Sequence, residues 1–178
     1  VRKEGDQTFA INMVALKGVG FSNLTNRLAD AWRRELQIQV NISIIDPLDT
    51  AQNVLQSVLQ PRNFDVLVYE LVLGGDPDVY AYWHSNQAKT TGLNFANYSS
   101  VIADDALSGA RSKTDLRYRS DRYRAFVRRW LADVPAIPLY QPKIDYIMSN
   151  SVSSMTEDMT LVTQENRYAN VIYWSVAR

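Results

Sequence analysis

The chain has 178 residues, of which 46% are hydrophobic, 21% charged and 11% aromatic, and this globular composition excludes disordered and fibrous classes. Lys plus Arg and Asp plus Glu balance at 19 each. Because no net charge draws the molecule to an anionic polymer or surface, we expect no nucleic-acid partner.

Cysteine is absent, and His84 is the single histidine. Disulfides, thiolate nucleophiles, zinc sites built on sulfur and histidine-rich metal sites are therefore excluded. No apolar run reaches the ~18 residues of a membrane span. The chain starts at Val1 without an initiator Met or a signal-peptide core, and we expect it to be a processed product or an excised piece.

The first third of the chain predicts two strands around one helix. Alternation of large and small residues predicts a strand over 9–16, which the glycines after it end. Ser22 or Asn23 can cap an amphipathic helix whose apolar stripe runs on to Leu36. Strict alternation over 38–44 predicts the second strand, with its apolar side chains on one side.

The next segment predicts a helix and a buried strand. Asp49 and Gln52 have the spacing of a capping box, and the amphipathic helix that they begin ends at Pro61. Residues 64–73 form a nearly continuous apolar run, typical of a strand buried on both faces. The order β-α-β-α-β with short connections favours an open, parallel α/β sheet.

The second half predicts mainly helices and extended segments. The expected elements are a turn at 76–78, a short aromatic helix at 79–84, a loop at 85–98, helices at 100–111 and 115–133, an extended segment at 134–140 and a strand at 144–148.

Three charged or glycine-rich features favour structural interpretations. Aspartates interleave with the arginines of the helix 115–133, so a solvated outer helix is favoured over a phosphate site. Asp104 and Asp105 diverge by about 100° on a helix, which favours a local cap or arginine pair over a metal site. The glycines at 18–20 lack the third glycine of a dinucleotide loop, and Asp46 has no such frame to complete.

Open α/β sheets bind ligands in the loops after strand ends, here 17–22, 46–50 and 73–78. Aromatic and hydrogen-bonding side chains cluster near the last of them: Tyr69, Glu70, Tyr82, Trp83 and His84. His84 as a catalytic base would need a nucleophile, and no Gly-x-Ser-x-Gly elbow supplies one. The edge therefore suits binding better than catalysis.

Six stretches in order over residues 9–148 resemble the extracellular solute-binding proteins of family 5, which serve peptide- and nickel-type ABC transporters. They are the opening strand with 32–38, then 64–66, 75–78, 94–98 with Asp104 and Leu107, Arg122-Tyr123, and 131–140.

The resemblance implies an α/β fold, a class II periplasmic-binding-protein-like lobe with an open, mainly parallel sheet flanked by helices. It covers only the C-terminal lobe, so residues 1–178 are expected to be one lobe of a two-lobed protein whose first lobe is absent. The implied function is non-enzymatic, without cofactor or metal: to capture a peptide or other small solute and deliver it to the ABC permease. We expect a monomer, extracytoplasmic and lipid-anchored in its full-length form.

In peptide-binding members the strand before the Asp-Pro turn pairs its main chain with the ligand, and an Asp holds the ligand's ammonium group; here Leu73 stands at that position. The implied ligand-binding residues are Tyr69, Glu70, Leu71, Val72, Leu73, Tyr82, Trp83, His84 and Asn94. With half of the cleft absent, the isolated chain is expected to bind weakly or not at all. The alternatives are a small α/β enzyme that uses His84 as acid or base, and a non-catalytic interaction domain.

Overall fold

The computed structural model describes residues 2–4, 7–18, 20–46, 48–49, 53–141, 147, 149–153, 166 and 168–177. Its principal elements in chain order are β1 (Lys3–Glu4), β2 (Gln7–Thr8), β3 (Ala10–Leu16), α1 (Phe21–Glu35), β4 (Gln39–Ile45), β5 (Val66–Val68), α2 (Tyr80–Trp83), α3 (Val101–Ser112), α4 (Leu116–Asp133), β6 (Val152–Ser153) and β7 (Ser175–Val176). None of the described helices combines the length and the hydropathy that crossing a bilayer requires.

The central sheet has three parallel strands in the order β4-β3-β5. β3 pairs along its whole length with β4, from Ala10 opposite Gln39 to Leu16 opposite Ile45. β5 pairs only with residues 13–15 of β3. The predicted parallel sheet is confirmed by these two pairings. Parallel neighbours need crossover connections, which α1 and the segment after β4 provide.

The two faces of β3 carry different parts of the core. Met13 and Ala15 face α1, whereas Val14 and the partly buried Leu16 face the segment after β4. The first face is buried with Ala29, Ile38, Val40 and Val68, and the second with Ile45 and Val54. Cover on both faces explains why residues 13–16 of the strand are all apolar.

The predicted cap of the first helix is wrong. α1 begins at Phe21 because Gly20 takes a left-handed conformation (φ 80°), so Ser22 and Asn23 lie inside the helix and no side chain caps it. Of the apolar residues predicted to share one side of the second strand, Ile38, Val40 and Ile42 pack in the core that faces α1, whereas Ile44 is exposed. Ile45, one residue beyond the predicted strand, packs on the other face.

The predicted helix before Pro61 is much shorter in the structure. It is a five-residue π-type helix, Leu55–Leu59, in which the N–H of Gln60 donates to the carbonyl of Leu55 at 2.8 Å. The Asp49–Gln52 capping box lies partly outside the described residues.

The predicted strand over 64–73 is confirmed only as β5, Val66–Val68. Asp65 fixes its start, because its N–H donates to the carbonyl of Asn12 (3.0 Å) and its carboxylate accepts the Asn12 N–H (2.7 Å). The strand ends where β3 approaches its own end, so the residues after Val68 meet no strand in the described chain.

The helices α2, α3 and α4 form a second core beside the sheet, and their predicted positions are confirmed to within one or two residues. Trp83 is at its centre, with ring centroids 5.3 Å from Trp130 and 6.4 Å from Tyr98. Asp115 caps α4 by accepting the N–H of Tyr118 at 2.7 Å. The other buried members are Ala103, Ala106, Leu107 and Phe126.

The termini carry two short antiparallel pairs, β1–β2 and β6–β7, that the sequence pattern does not predict. The predicted strand at 144–148 lies outside the described residues except for Ile147.

The second core predicts a stability test on α3. Leu107→Ala removes a side chain with 0% exposure and should lower the free energy of unfolding by about 2–5 kcal/mol. Val101→Ala, on the same helix and 85% exposed, should change it by less than about 0.5 kcal/mol. Urea denaturation followed by circular dichroism measures both, and equal effects of the two variants would contradict the packing described here.

Candidate functional site

The residues directly after β5, 69–73, form what we call the open segment. None of them makes a main-chain hydrogen bond to another main-chain group of the described chain. Val72 and Leu73 are 65% and 46% exposed, and Glu70 is exposed as well. Free N–H and C=O groups beside a sheet can pair with an added strand, so this segment can bind an extended ligand through its main chain.

The start of the open segment is held by an aromatic contact. The Tyr69 ring meets the Phe95 ring edge to face, with centroids 5.6 Å apart. On Phe95 the guanidinium of Arg62 stacks 5.0 Å from the ring centroid. Burial, and to a lesser degree the neighbouring Tyr82, raise the pKa of Tyr69, so its hydroxyl stays neutral at physiological pH.

Arg62 connects the turn before β5 to the loop that carries Phe95. Its guanidinium donates to the carbonyls of Lys89 (3.1 Å), Gly92 (3.2 Å) and Asn94 (3.4 Å), and also to that of Leu59. Desolvation by burial lowers the pKa of Arg62. Sequence analysis missed this residue, since an arginine after a proline carries no signal for contacts about 30 residues away.

The middle of the open segment has one side-chain contact from α2. The Tyr82 hydroxyl donates to the carbonyl of Val72 at 3.3 Å. Two of the predicted ligand-binding residues are therefore in direct contact, and Tyr82 fixes one carbonyl of the segment.

Beyond the open segment lies the predicted Asp-Pro turn. The Asp76 carboxylate accepts the N–H of Asp78 (3.0 Å), and that of Asp78 accepts the N–H of Tyr80 (3.0 Å). Arg119 Nη2 donates to both Asp76 oxygens at 2.6 and 2.7 Å, and Arg111 Nε donates to Asp78 at 2.7 Å. We call these two ion pairs the turn clamps.

The turn clamps have an electrostatic consequence. The hydrogen bond from Arg119 holds the pKa of Asp76 below its ordinary value of 3.8, and Asp76 raises the pKa of Arg119. A carboxyl whose pKa is lower in the folded state stabilises the fold above its unfolded pKa, and this contribution is lost as the pH falls through the folded value. The clamp is therefore fully formed at neutral pH.

Asn94, Trp83 and His84 lie inside the protein. Asn94 is fully buried; its amide donates to the carbonyls of Tyr98 (2.8 Å) and His84 (3.2 Å), and it accepts the Tyr98 N–H (3.0 Å). Trp83 belongs to the helical core. These three predicted ligand-binding residues have packing partners here and hold the loop that supports Tyr69.

The buried His84 has a polar partner on each ring nitrogen. Nε2 lies 3.1 Å from the Ser108 hydroxyl, and Nδ1 accepts the N–H of Asn86 at 3.1 Å. The Asp104 carboxylate is 3.6 Å from Nδ1, and the ring stacks on Tyr80 with centroids 4.1 Å apart.

The two adjacent aspartates separate as the sequence predicted. Asp104 accepts the backbone N–H (2.9 Å) and the hydroxyl (2.5 Å) of Ser85, whereas Asp105 pairs with Arg122 at 2.8 Å. Among the residues that the structure describes, no three acidic or histidine side chains converge in a metal-binding arrangement.

The first two loops of the predicted ligand edge meet through one ion pair, Lys17 to Asp46 at 2.8 Å. The third loop, 73–78, is fixed instead by the helices that carry Arg111 and Arg119. Pro77 also lines a shallow groove of about 570 Å³ that follows α4. The other lining residues belong to α4: Leu116, Arg119, Ser120, Tyr123, Arg124, Val127 and Arg128.

No family model matches the chain. Over 111 residues, 61% of the chain, it is 30% identical to the oligopeptide-binding protein AppA of Bacillus subtilis (strain 168), of which it spans 19%. The chain is therefore homologous to that protein over part of its own length, and it spans well under half of the relative.

Solved structures share the fold. AppA from Bacillus subtilis in complex with a nonapeptide matches 99% of the chain with a TM-score of 0.65 and 21% identity, and the chain covers 33% of it. The dipeptide-binding protein of Pseudoalteromonas sp. SM9913 in complex with Met-Leu matches 72% of the chain, with a TM-score of 0.59, 21% identity and 25% of that protein covered. NikZ from Campylobacter jejuni in complex with Ni(L-His) matches 71%, with a TM-score of 0.56, 20% identity and 25% covered. The resemblance to family 5 solute-binding proteins is thus confirmed for part of the chain, and its fold is the class II periplasmic-binding fold.

Proposed function

We propose that this chain is the C-terminal lobe of the substrate-binding component of an ABC-type peptide or oligopeptide importer. The observation that carries the proposal is the open segment, whose main-chain groups have no main-chain partners in the described chain. Its homologue is an oligopeptide-binding protein, and solved structures of the same fold hold a nonapeptide and the dipeptide Met-Leu.

The open segment recognises its ligand by forming strand-like hydrogen bonds. Main-chain groups are the same for every residue type, so this mode accepts many peptide sequences. Leu71, Val72 and Leu73 add apolar contacts, and Glu70 adds one carboxylate. The cleft is completed by a second lobe, and the closed pair docks on the membrane permease outside the cytoplasm, with a lipid anchor as the attachment.

The contacts of His84 support a binding protein over an enzyme. Because Nδ1 accepts the N–H of Asn86, the neutral ring carries its proton on Nε2 and donates it to Ser108. A serine nucleophile requires the opposite arrangement, with Nδ1–H directed at a carboxylate and Nε2 free to accept the hydroxyl proton. Asp104 is moreover engaged by Ser85. His84 is therefore a structural residue in this proposal.

Peptide binding can be tested on the chain itself by NMR. We expect the peptides Met-Leu, STSA and RPPGFSPFR, which relatives of this fold bind, to shift the amide signals of residues 69–73 with a Kd on the order of 1 mM or weaker, because one lobe supplies half of the contacts. Titration of the ¹⁵N-labelled chain measures this.

The complete natural polypeptide that contains this chain is the matched sample, and it should bind at least one of these peptides far more tightly. Mass spectrometry of ligands that co-purify with it identifies the natural solute. Shifts spread over the surface of α4 instead of the open segment, or no peptide binding by the complete polypeptide, would contradict the proposal.

Leu73 predicts which end of a peptide is recognised. Leu73→Asp places a carboxylate at the position where the family resemblance implies an Asp that holds the ligand's ammonium group. We expect this variant to favour a peptide with a free amino terminus over its N-acetylated form by about tenfold, the effect of one charge-assisted hydrogen bond. Leu73→Asn is the uncharged control of equal size and should show no such preference. Calorimetry on the complete polypeptide measures the affinity of each variant for the free and the N-acetylated peptide. Equal preferences of the two variants would contradict this role of position 73.

The state of His84 can be read directly, because it is the single histidine in the sequence. We expect the neutral ring to be the Nε2–H tautomer in the wild type and in Ser108→Ala, since the Asn86 N–H fixes Nδ1 as an acceptor in both. Long-range ¹H–¹⁵N correlation spectra distinguish the tautomers, and an Nδ1–H ring would revive the enzymatic alternative.

A further inference from the structure

We propose that Arg111 and Arg119 are positioning residues of the ligand site, which hold the far end of the open segment in place without contacting the ligand. The inference rests on the proposed function, because it concerns the same segment. It assigns a role to two arginines that the sequence pattern does not distinguish from the other residues of their helices.

The open segment depends on its two ends for order. At its start, Val68 is paired with Ala15 in the sheet, and Tyr69 is packed on Phe95. Within it, the contact from Tyr82 to the carbonyl of Val72 is the single hydrogen bond that the described chain provides. The other end must therefore be fixed from outside the segment.

Two glycines make the far end especially dependent on the turn clamps. Gly74 and Gly75 join the segment to Asp76, and a Cβ added to either would meet no atom within 4 Å. Glycine has the widest choice of backbone conformations, and here no neighbour restricts that choice. The first residue after Leu73 that a side-chain contact fixes is consequently Asp76, whose carboxylate accepts two hydrogen bonds from Arg119.

The turn clamps attach the turn to a rigid support. Arg111 lies in the last turn of α3 and Arg119 in the first turn of α4, and these helices pack together in the second core. Each aspartate also accepts a backbone N–H two residues further on, so the clamp fixes the path of the turn as well as its position. The guanidinium of Arg111 is held in turn by the Tyr80 ring, 4.0 Å away.

Partly exposed ion pairs contribute little to global stability, and this separates positioning from a general structural role. Loss of a clamp should leave the melting temperature nearly unchanged and disorder residues 69–75 locally. If the binding-competent fraction of the segment falls to about one tenth, the apparent Kd rises about tenfold, because affinity scales with that fraction.

The experiment compares Arg111→Gln and Arg119→Gln with Arg122→Gln, a control on α4 whose partner is Asp105, away from the turn. Thermolysin, which cleaves before leucine and valine, measures local order at residues 71–73 of the folded chain. We expect cleavage there to accelerate about tenfold in the first two variants, with melting temperatures within a few degrees of the wild type. Arg119→Lys keeps one charged contact and should restore part of the protection.

Affinity for the best-binding of the three peptides, measured on the complete natural polypeptide, should fall about tenfold in Arg111→Gln and Arg119→Gln and stay unchanged in Arg122→Gln. Unchanged cleavage, or faster cleavage with unchanged affinity, would overturn the positioning role and leave the proposed function standing. Failure of the wild-type polypeptide to bind any peptide would overturn the proposed function, and this inference with it.

Discussion

The candidate site depends on one constraint: the extended apolar run continues past the three residues of β5 that pair with β3. β5 pairs with β3 only as far as Val68 opposite Ala15, and the chain then continues without a partner strand in the described part. Main-chain N–H and C=O groups must find partners in the protein, in water or in a ligand. The open segment is therefore a set of polar groups that folding leaves available, and the rest of the site determines how rigidly they are presented.

Rigidity comes from three directions that have little to do with the sheet. Arg62 and Phe95 hold Tyr69 from the loop side, Tyr82 holds one carbonyl from α2, and the turn clamps hold the end from the helical pair. The helical core beside the sheet thus supports the open segment through Tyr82 and the turn clamps. An ordered segment loses less conformational entropy when a ligand pairs with it, so in the proposed function these contacts contribute to affinity without touching the ligand.

Sequence reasoning succeeded where structure is local and failed where it depends on a distant partner. β3, β4, α3 and α4 were predicted because alternation, helical periodicity and caps are properties of neighbouring residues. The apolar run at 64–73 was read as one strand, yet its paired length is set by β3, about 50 residues earlier, and the run itself carries no trace of that limit.

The site shows the same division. The family resemblance pointed to residues 69–73, 82–84 and 94 as ligand-binding residues, and that assignment stays a prediction. The buried placement of Trp83, His84 and Asn94 could not be read from the sequence, because these residue types suit a ligand pocket and a polar core equally. The turn clamps join residues 33 and 43 positions apart, so no pattern could single out Arg111 and Arg119 among the other arginines.

In the proposed function, main-chain recognition on half of a cleft sets a limit on which ligands this chain can select. Its hydrogen bonds are indifferent to ligand side chains, and the aspartates nearest the segment, Asp76 and Asp78, are already neutralised by arginine. Glu70 is then the carboxylate of the segment itself, beside the apolar Leu71, Val72 and Leu73. The proposed function therefore requires that discrimination among peptides arise from groups facing this segment across the cleft, while the segment supplies register and a common affinity for extended main chain.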